Sequence, residues 1–370
     1  MSLADEKLRK ILADHSATWL VTGAAGFIGS HLVETLLLLG QRVVGLDNFS
    51  AGKRVNLRDV EKKTGPEAWR RFQLVEGDVT CLTTCREVCR PGVDYVLHHA
   101  ALCSVPLSIE NPRRTHDDNV TGHLNMLIAA REARVRRVVY ASSSAVYGDC
   151  EDLPCVEERV GRCLSPYALG KCVNELNAGL FHRLYGLPSV GLRYFNVYGP
   201  RQDPAGAYAA VIPKWIDAMM RGGTVWVNGD GKQTRDFCFV TNVVEANLLA
   251  ATVDYETCLR QAGEVTDSRC RKPGGGGGCA GAPAACFNVA LGQRIDLLGL
   301  FEMLKDLFLS RQPDRIIAPP SCRPALRGEV CDSCASIVRA ERALGYIPTH
   351  NLRQGLAETV AWHEECISEE

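Results

Sequence analysis

A doubly wound α/β fold, with a parallel central sheet and a smaller α+β unit beside it, is what this sequence predicts, and three observations predict it. From Thr18 onward, short apolar, β-branched runs alternate with longer amphipathic stretches. The runs are apolar almost throughout, as in strands covered on both faces, and after Asn196 the pattern breaks into short elements among frequent Pro, Gly and Arg. With 370 residues the chain is long enough for two units and a sizeable core.

Taken in order, strands are expected near residues 19–22, 42–46, 72–76, 95–98 and 135–141, with helical patterns between them, among them 30–39. A long helix over 166–184 leads to a further strand at 189–192, and short elements are expected near 224–227 and 316–318. The first unit then covers 16–197, with returns at 236–258 and 285–291, and the second covers 198–235 and 292–366. Between them, Pro273 precedes five consecutive glycines, Gly274 to Gly278. Such a stretch buries too little apolar area to offset its ordering entropy, so 260–285 is expected to be a mobile surface loop. It does not read as a phosphate cradle, because no strand leads into it and no amphipathic helix follows.

Composition narrows the function classes. Apolar residues at 46% and charged residues at 23% exclude wholesale disorder and fibrous architecture. Forty-two basic residues against 43 acidic ones give a net charge of -1, which offers no bulk attraction to nucleic acid or an acidic membrane, so any phosphate must be held locally. The longest apolar runs fall far short of the ~20 residues that span a bilayer. Residues 1–15 carry charges and no apolar secretory core, so a cytoplasmic location is expected. The 17 cysteines read as reduced thiols. Cys331 and Cys334 form one CxxC, and Cys81, Cys85 and Cys89 repeat at helical spacing, but neither arrangement supplies four ligands and no metal is expected.

The first strand runs into Gly23-Ala24-Ala25-Gly26-Phe27-Ile28-Gly29 and a helix. In that context Gly23 permits a tight turn, Gly26 lets backbone N–H groups approach a pyrophosphate, and Gly29 lets the helix pack close to the sheet, the marks of a Rossmann-type dinucleotide site. The second strand ends in Asp47, whose carboxylate can accept from an adenosine ribose and would repel a 2'-phosphate, favouring NAD over NADP. The plainer reading is that Asp47 caps a turn with Asn48. Asp78 and Val79 are expected to close the third strand, where an adenine would lie.

Ser142-Ser143-Ser144 follows the fifth strand at the edge where parallel sheets hold ligands, and Tyr167 stands four residues before Lys171 on a helix. The ammonium is expected to lower the phenol toward working pH and make Tyr167 a base, with Ser143 bonding the reacting oxygen and Lys171 also holding a ribose.

The glycine spacing and these three side chains resemble the extended form of the short-chain dehydrogenase/reductase superfamily. Dehydratases and decarboxylases of that superfamily carry an acidic residue in the stretch matching residues 143–148, where this chain has Ser and Ala, which points to 4-epimerisation. Further stretches, including His99-Ala100-Ala101, Asn119-Val120-Thr121-Gly122 and Arg193-Tyr194-Phe195-Asn196, are similar to nucleotide-sugar 4-epimerases, and Ser104-Val105-Pro106 and residues 201–213 look most like the branch acting on UDP-N-acetylglucosamine. The resemblance implies NAD contacts at Ala100, Ala101, Asn119 and Tyr194. It implies UDP-sugar contacts at Cys103, Ser104, Ser142, Asn196, Gln202, Ala210, Val211, Arg235, Arg327 and Ser333, with Arg323 as the rival to Arg327 for the second phosphate contact. Arg235 read on its own chemistry suits a phosphate, or else a salt bridge with Asp230 or Asp236. By resemblance Ser333 is a gatekeeper whose small side chain admits an N-acetyl group, while Cys103 adds bulk where relatives tend to have Gly. A homodimer pairing through helices at 112–131 and 166–184 is also implied. Alternatives left open are an epimerase restricted to UDP-glucose and UDP-galactose, a dehydrogenase releasing NADH, and a non-catalytic NAD-binding regulator.

Overall fold

The computed structural model describes residues 8–10, 12, 16–205, 209–264, 285–324 and 332–368. The glycine run and Arg327 lie outside them, as does most of the loop expected at 260–285. Its ends differ from expectation: residues up to Glu264 continue a helix, and Ala285 is buried beside the last strand of the main sheet.

The chain forms β1 (Thr18–Thr22), α1 (Phe27–Leu38), β2 (Arg42–Asp47), α2 (Arg54–Trp69), β3 (Phe72–Glu76), α3 (Leu82–Val88), β4 (Tyr95–His98), α4 (Val105–Glu110), α5 (Pro112–His116), α6 (Gly122–Ala133), β5 (Arg137–Ser143), α7 (Pro166–Tyr185) and β6 (Ser189–Tyr194). A π-helical turn, Asp117–Thr121, joins α5 to α6, so the helix expected at 112–131 is one path with a widened middle. Helix α7 has a strong start, with Ser165 accepting from the Ala168 N–H and Pro166 at the first helical position, and it stops at left-handed Gly186.

Together with a late strand, Cys286–Val289, these strands make a seven-stranded parallel sheet in the order Cys286–Val289, β6, β5, β4, β1, β2, β3. Alternate side chains of β1 feed opposite layers. Trp19 and Val21 join Leu32, Leu36, Val243 and Tyr346 on one face. Leu20 joins Leu46, Val96, Met126 and Phe181 on the other. Both faces are thus covered, as the continuous apolar runs predicted. Strand order reverses between β4 and β2 on either side of β1, and that switch point is where such sheets open a crevice at their carboxyl ends.

A second apolar cluster gathers Tyr198, Ile212, Trp215, Val227, Phe239, Phe301 and Leu356. It rests on helices Val211–Arg221, Leu297–Arg311 and Leu352–Ser368 and on short paired strands, Trp226–Asn228 with Ser321–Arg323 and Thr234–Arg235 with Ile295–Asp296. The element expected at 316–318 is irregular chain, with Ile316 fully out in solvent, and the strand forms later, where residues 321–323 find Trp226–Asn228 as a partner. Phe237, Phe239 and Val240 belong to this second cluster, whereas Ala340 to Tyr346 return to the first.

Helix α7 is bound to the sheet by buried polar groups. Glu175 takes two hydrogen bonds from Arg193 of β6, at 2.9 and 2.8 Å, and one from the Ser142 hydroxyl of β5 at 2.6 Å. The ion pair is almost wholly excluded from water. Replacing Arg193 by Leu leaves Glu175 buried without its cation and is expected to cost about 3–5 kcal/mol, read as a lower midpoint in chemical denaturation.

Candidate active site

At the switch point, Gly23 sits at φ 71°, and its N–H donates to the Leu46 carbonyl at 2.8 Å. Its neighbours leave no room for a side chain: a Cβ on Gly23 would lie 2.9 Å from the Ala100 nitrogen, and one on Gly29 would lie 1.9 Å from the Gly23 carbonyl oxygen. Gly26 caps α1 in extended geometry, with no side-chain cap and no acidic residue in the first turn that Phe27 and Ile28 begin. A twelve-residue helix thus points an uncompensated N-terminus at the crevice, which suits a pyrophosphate.

Asp47 is buried, and its two carboxylate oxygens accept from the Ala25 and Phe49 N–H groups, both at 2.8 Å. It therefore holds the glycine loop while each oxygen keeps another lone pair for a ribose hydroxyl. Asn48 donates to Asp78 at 2.7 Å. Burial would raise Asp78, but bonds from Thr80 and Asn48 outweigh it and hold the carboxyl below its ordinary range. Strand β3 stops at Glu76, so Asp78 and Val79 lie in the turn beyond the strand they were expected to close. The residues present fit a dinucleotide.

The next wall is set by Thr22, whose hydroxyl accepts from the N–H groups of His99 and Ala100, both at 3.1 Å. Asn119 is buried and clamps Leu102 in both directions, which fixes Ala101 and Cys103 on either side. Tyr194 is buried too, its hydroxyl meeting His99 and Asn247. Both residues shape the wall through protein contacts.

Ser143, Tyr167 and Cys103 line one cavity of about 1190 Å³. The Ser143 hydroxyl accepts from the Ala145 N–H at 3.1 Å and shares the cavity wall with Tyr167. Lys171 is buried, its ammonium 2.7 Å from the Ala141 carbonyl and 5.7 Å from the Tyr167 ring centre. The spacing thus puts the phenol and the amine together, but the electrostatics differ from expectation. Burial first, and then Cys103, push the phenol well above its ordinary value, with Ser143 opposing, and burial lowers the Lys171 ammonium. Desolvation outweighs the attraction that sequence spacing suggested. Neighbouring His98, His99 and His123 are held neutral by burial, His99 at about 4.

Ser142 is not part of this site. Adjacent strand residues face opposite ways, and Ser142 points into the Glu175 network. Gln202 donates to the Val197 carbonyl at 3.1 Å and lies outside the walls of this cavity and of the narrower pocket beside it. Ser104 and Ser333 do line the large cavity. Asn196, Val211 and Arg235 line both, and Ala210 the narrower one. Arg323 reaches Asn228 at 2.7 Å and joins the large cavity's wall.

Sequence reasoning missed Trp215, Trp226, Asn228 and Phe237, which wall the narrower pocket with Arg235. It also missed Leu164 and Ser165 beside Tyr167 and the acceptor role of Thr22. The one available signal was the short element expected at 224–227, which contains Trp226.

A family model described as the NAD dependent epimerase/dehydratase family matches residues 19–257. The UDP-glucose 4-epimerase of Mycolicibacterium smegmatis is 34% identical over 342 residues, covering 92% of this chain and 96% of its own length. The structure of a UDP-N-acetylglucosamine 4-epimerase from Methanobrevibacter ruminantium M1, in complex with UDP-N-acetylmuramic acid, is similar with a TM-score of 0.80 at 33% identity, covering 96% of this chain and 99% of the other. That of the Thermus thermophilus UDP-glucose 4-epimerase complex with NAD is similar with a TM-score of 0.74 at 29% identity, covering 94% and 99%.

Because a side chain at position 29 would collide with the Gly23 carbonyl, Gly29→Ala is expected to displace the loop. It should weaken NAD binding at least about tenfold, or ~1.4 kcal/mol, as measured by titration of the cofactor-free protein.

Proposed function

This chain belongs to the NAD-dependent epimerase/dehydratase family, and from that premise we propose that it interconverts UDP-N-acetylglucosamine and UDP-N-acetylgalactosamine by inverting C4. The carrying observation is that Tyr167 and Ser143 line one cavity whose wall beside them is Ser144 and Ala145; among its described lining residues the one carboxylate is Asp332, which is engaged by the Thr234 hydroxyl. Dehydration or decarboxylation needs an acid at the place of Ser144 and Ala145, whereas alcohol oxidation and its reversal need only the phenol and the serine.

Tyr167 takes the proton of the sugar 4-hydroxyl and later returns it, while Ser143 holds the reacting oxygen. Lys171, anchored on Ala141, keeps the phenol in place from the buried side. The glycine loop and Asp47 would hold NAD+, which would supply positive charge near the phenol and a reversible acceptor for the C4 hydride, so that no net redox change would result. The cavity of about 1190 Å³ gives a 4-keto sugar room to turn over while its UDP stays held. Arg235 forks to the diphosphate with Asn196 beside it, and the aromatic walls of Trp215, Trp226 and Phe237 take the uridine. Ser333 adds only a hydroxymethyl group to the cavity wall, which leaves space for an acetamido group.

Incubating the purified protein with UDP-N-acetylglucosamine and no added oxidant should yield the galacto epimer. Tyr167→Phe should lower turnover by roughly 10²–10⁴-fold with NAD still bound; activity surviving that change would remove Tyr167 as the base. With acetylated and plain UDP-hexoses at equal concentration, preference for the plain sugars would transfer the assignment to UDP-glucose.

We also propose a homodimer. Leu169, Leu176, Leu180 and Leu184 expose apolar surface along α7. Light scattering should give twice the chain mass, falling to the monomer in Leu176→Asp/Leu180→Asp; a monomeric parent protein would dismiss the pairing.

A further inference from the structure

Two thiols, one on the helix that carries Tyr167 and one in the segment before it, take no part in the chemistry above. Cys172 is the residue after Lys171 on α7, and Cys163 lies in the segment that leads to the Ser165 cap of the same helix. Their sulfurs stand 3.3 Å apart, although nine residues separate them in sequence. Both are partly buried, so a small reagent reaches them without unfolding. Among the described residues no group of three or more Cys, His, Asp and Glu is arranged for a metal ion, so the pair is not two corners of a metal site. What two adjacent thiols offer in its place is oxidation to one disulfide.

We propose that Cys163 and Cys172 form a reversible dithiol–disulfide couple that exchanges with low-molecular-weight disulfides and restrains the wall of the active site when oxidised. The Cys163 thiolate attacks one sulfur of the external disulfide, and the first external thiol leaves. The Cys172 sulfur then displaces the second external thiol from Cys163. Two protein thiols are oxidised, one external disulfide is reduced to two thiols, and the two protons pass to those leaving groups. The order follows from the surroundings: burial, followed by the bond to Cys163, pushes the Cys172 thiol well above its ordinary value, so Cys172 is suited to the second, intramolecular step.

The consequence for the site is geometric. A disulfide closes at about 2.05 Å, so one sulfur must move toward the other by more than an ångström. Helix α7 is held by the Glu175–Arg193 pair and by Lys171 on Ala141, and it does not yield. The segment carrying Cys163 moves instead, and its next two residues, Leu164 and Ser165, line the cavity. Oxidation therefore draws one wall of the sugar space onto the helix that bears Tyr167. The bond itself is independent of the substrate assigned above; its effect on turnover rests on that reading.

Trypsin cleaves after Arg162, Lys171 and Arg183, so residues 163–171 and 172–183 leave as separate peptides that only a disulfide would join. The full-length protein is equilibrated with mixtures of reduced and oxidised glutathione, then alkylated and mapped by mass spectrometry, with turnover of UDP-N-acetylglucosamine measured in parallel. A joined pair of peptides that dithiothreitol separates again is expected, absent from both Cys163→Ser and Cys172→Ser. Turnover should fall several-fold in step with the bond and recover on reduction, and Cys163→Ser should lack that part of the loss; any remainder belongs to other thiols such as exposed Cys103. If exposed Cys81, Cys103 and Cys322 are modified while peptides 163–171 and 172–183 stay unlinked, the couple is refuted. A bond formed at unchanged turnover overturns the restraint. Should no UDP-sugar turn over at all, the substrate reading fails and the peptide map still decides the couple.

Discussion

The geometry of the candidate active site depends on how one helix is pinned to two strands. Helix α7 carries Tyr167 and Lys171, and its inward face holds Glu175, which meets Arg193 of β6 and Ser142 of β5 in a region closed to water. A buried pair of this kind contributes little net stability against a well-packed apolar replacement, but neither partner can be left alone, so it tolerates a single arrangement. Arg193 extends that constraint by donating to the Tyr147 hydroxyl and the Glu157 carbonyl, and so ties down the loop that lines the cavity beyond Ser143. Lys171 completes the fastening one turn earlier by donating to Ala141. The phenol therefore faces the cavity because Lys171 and Glu175, four and eight residues further along the same side of the helix, leave that helix no freedom to turn.

The second constraint is the joint between the two apolar clusters. Asp236 follows Arg235 and accepts from the N–H groups of Leu291, Gly292 and Ala335, drawing two separate segments to one carboxylate. Burial outweighs those bonds and lifts its carboxyl to about 6. On the other side, buried Arg201 bonds Glu34 and Asp59, which holds the segment after Asn196 against α1 and α2. The crevice between the sheet edge and the second cluster is thus framed by buried charge contacts on both flanks. Its phosphate chemistry needs only local cations, consistent with a net charge of -1.

Electrostatics in the cavity follow burial more than charge pairing. Phenol, amine and three nearby histidines are all shifted toward their neutral forms, and the same cause acts on each. The proposed base in such surroundings works when the bound partners bring charge with them, which would couple proton removal to a filled site.

Much of this was readable from residue order. The glycine loop, Asp47 and the Tyr167–Lys171 pair are legible because each lies within one strand–helix–strand unit or one helical turn, where spacing largely dictates geometry, and continuous apolar strands announce a sheet covered on both faces. Other features were settled only when distant segments met. Ser142 and Ser143 look alike in sequence, yet strand parity gives one to Glu175 and the other to the cavity. The strand at 321–323 exists because Trp226–Asn228 is there to pair with it, and the narrower pocket needs Trp215 and Phe237 to be gathered by the second core beside Trp226. The protonation of Tyr167 was decided the same way: spacing sets the distance to a cation, but packing sets how much water is lost, and here the lost water is the larger effect.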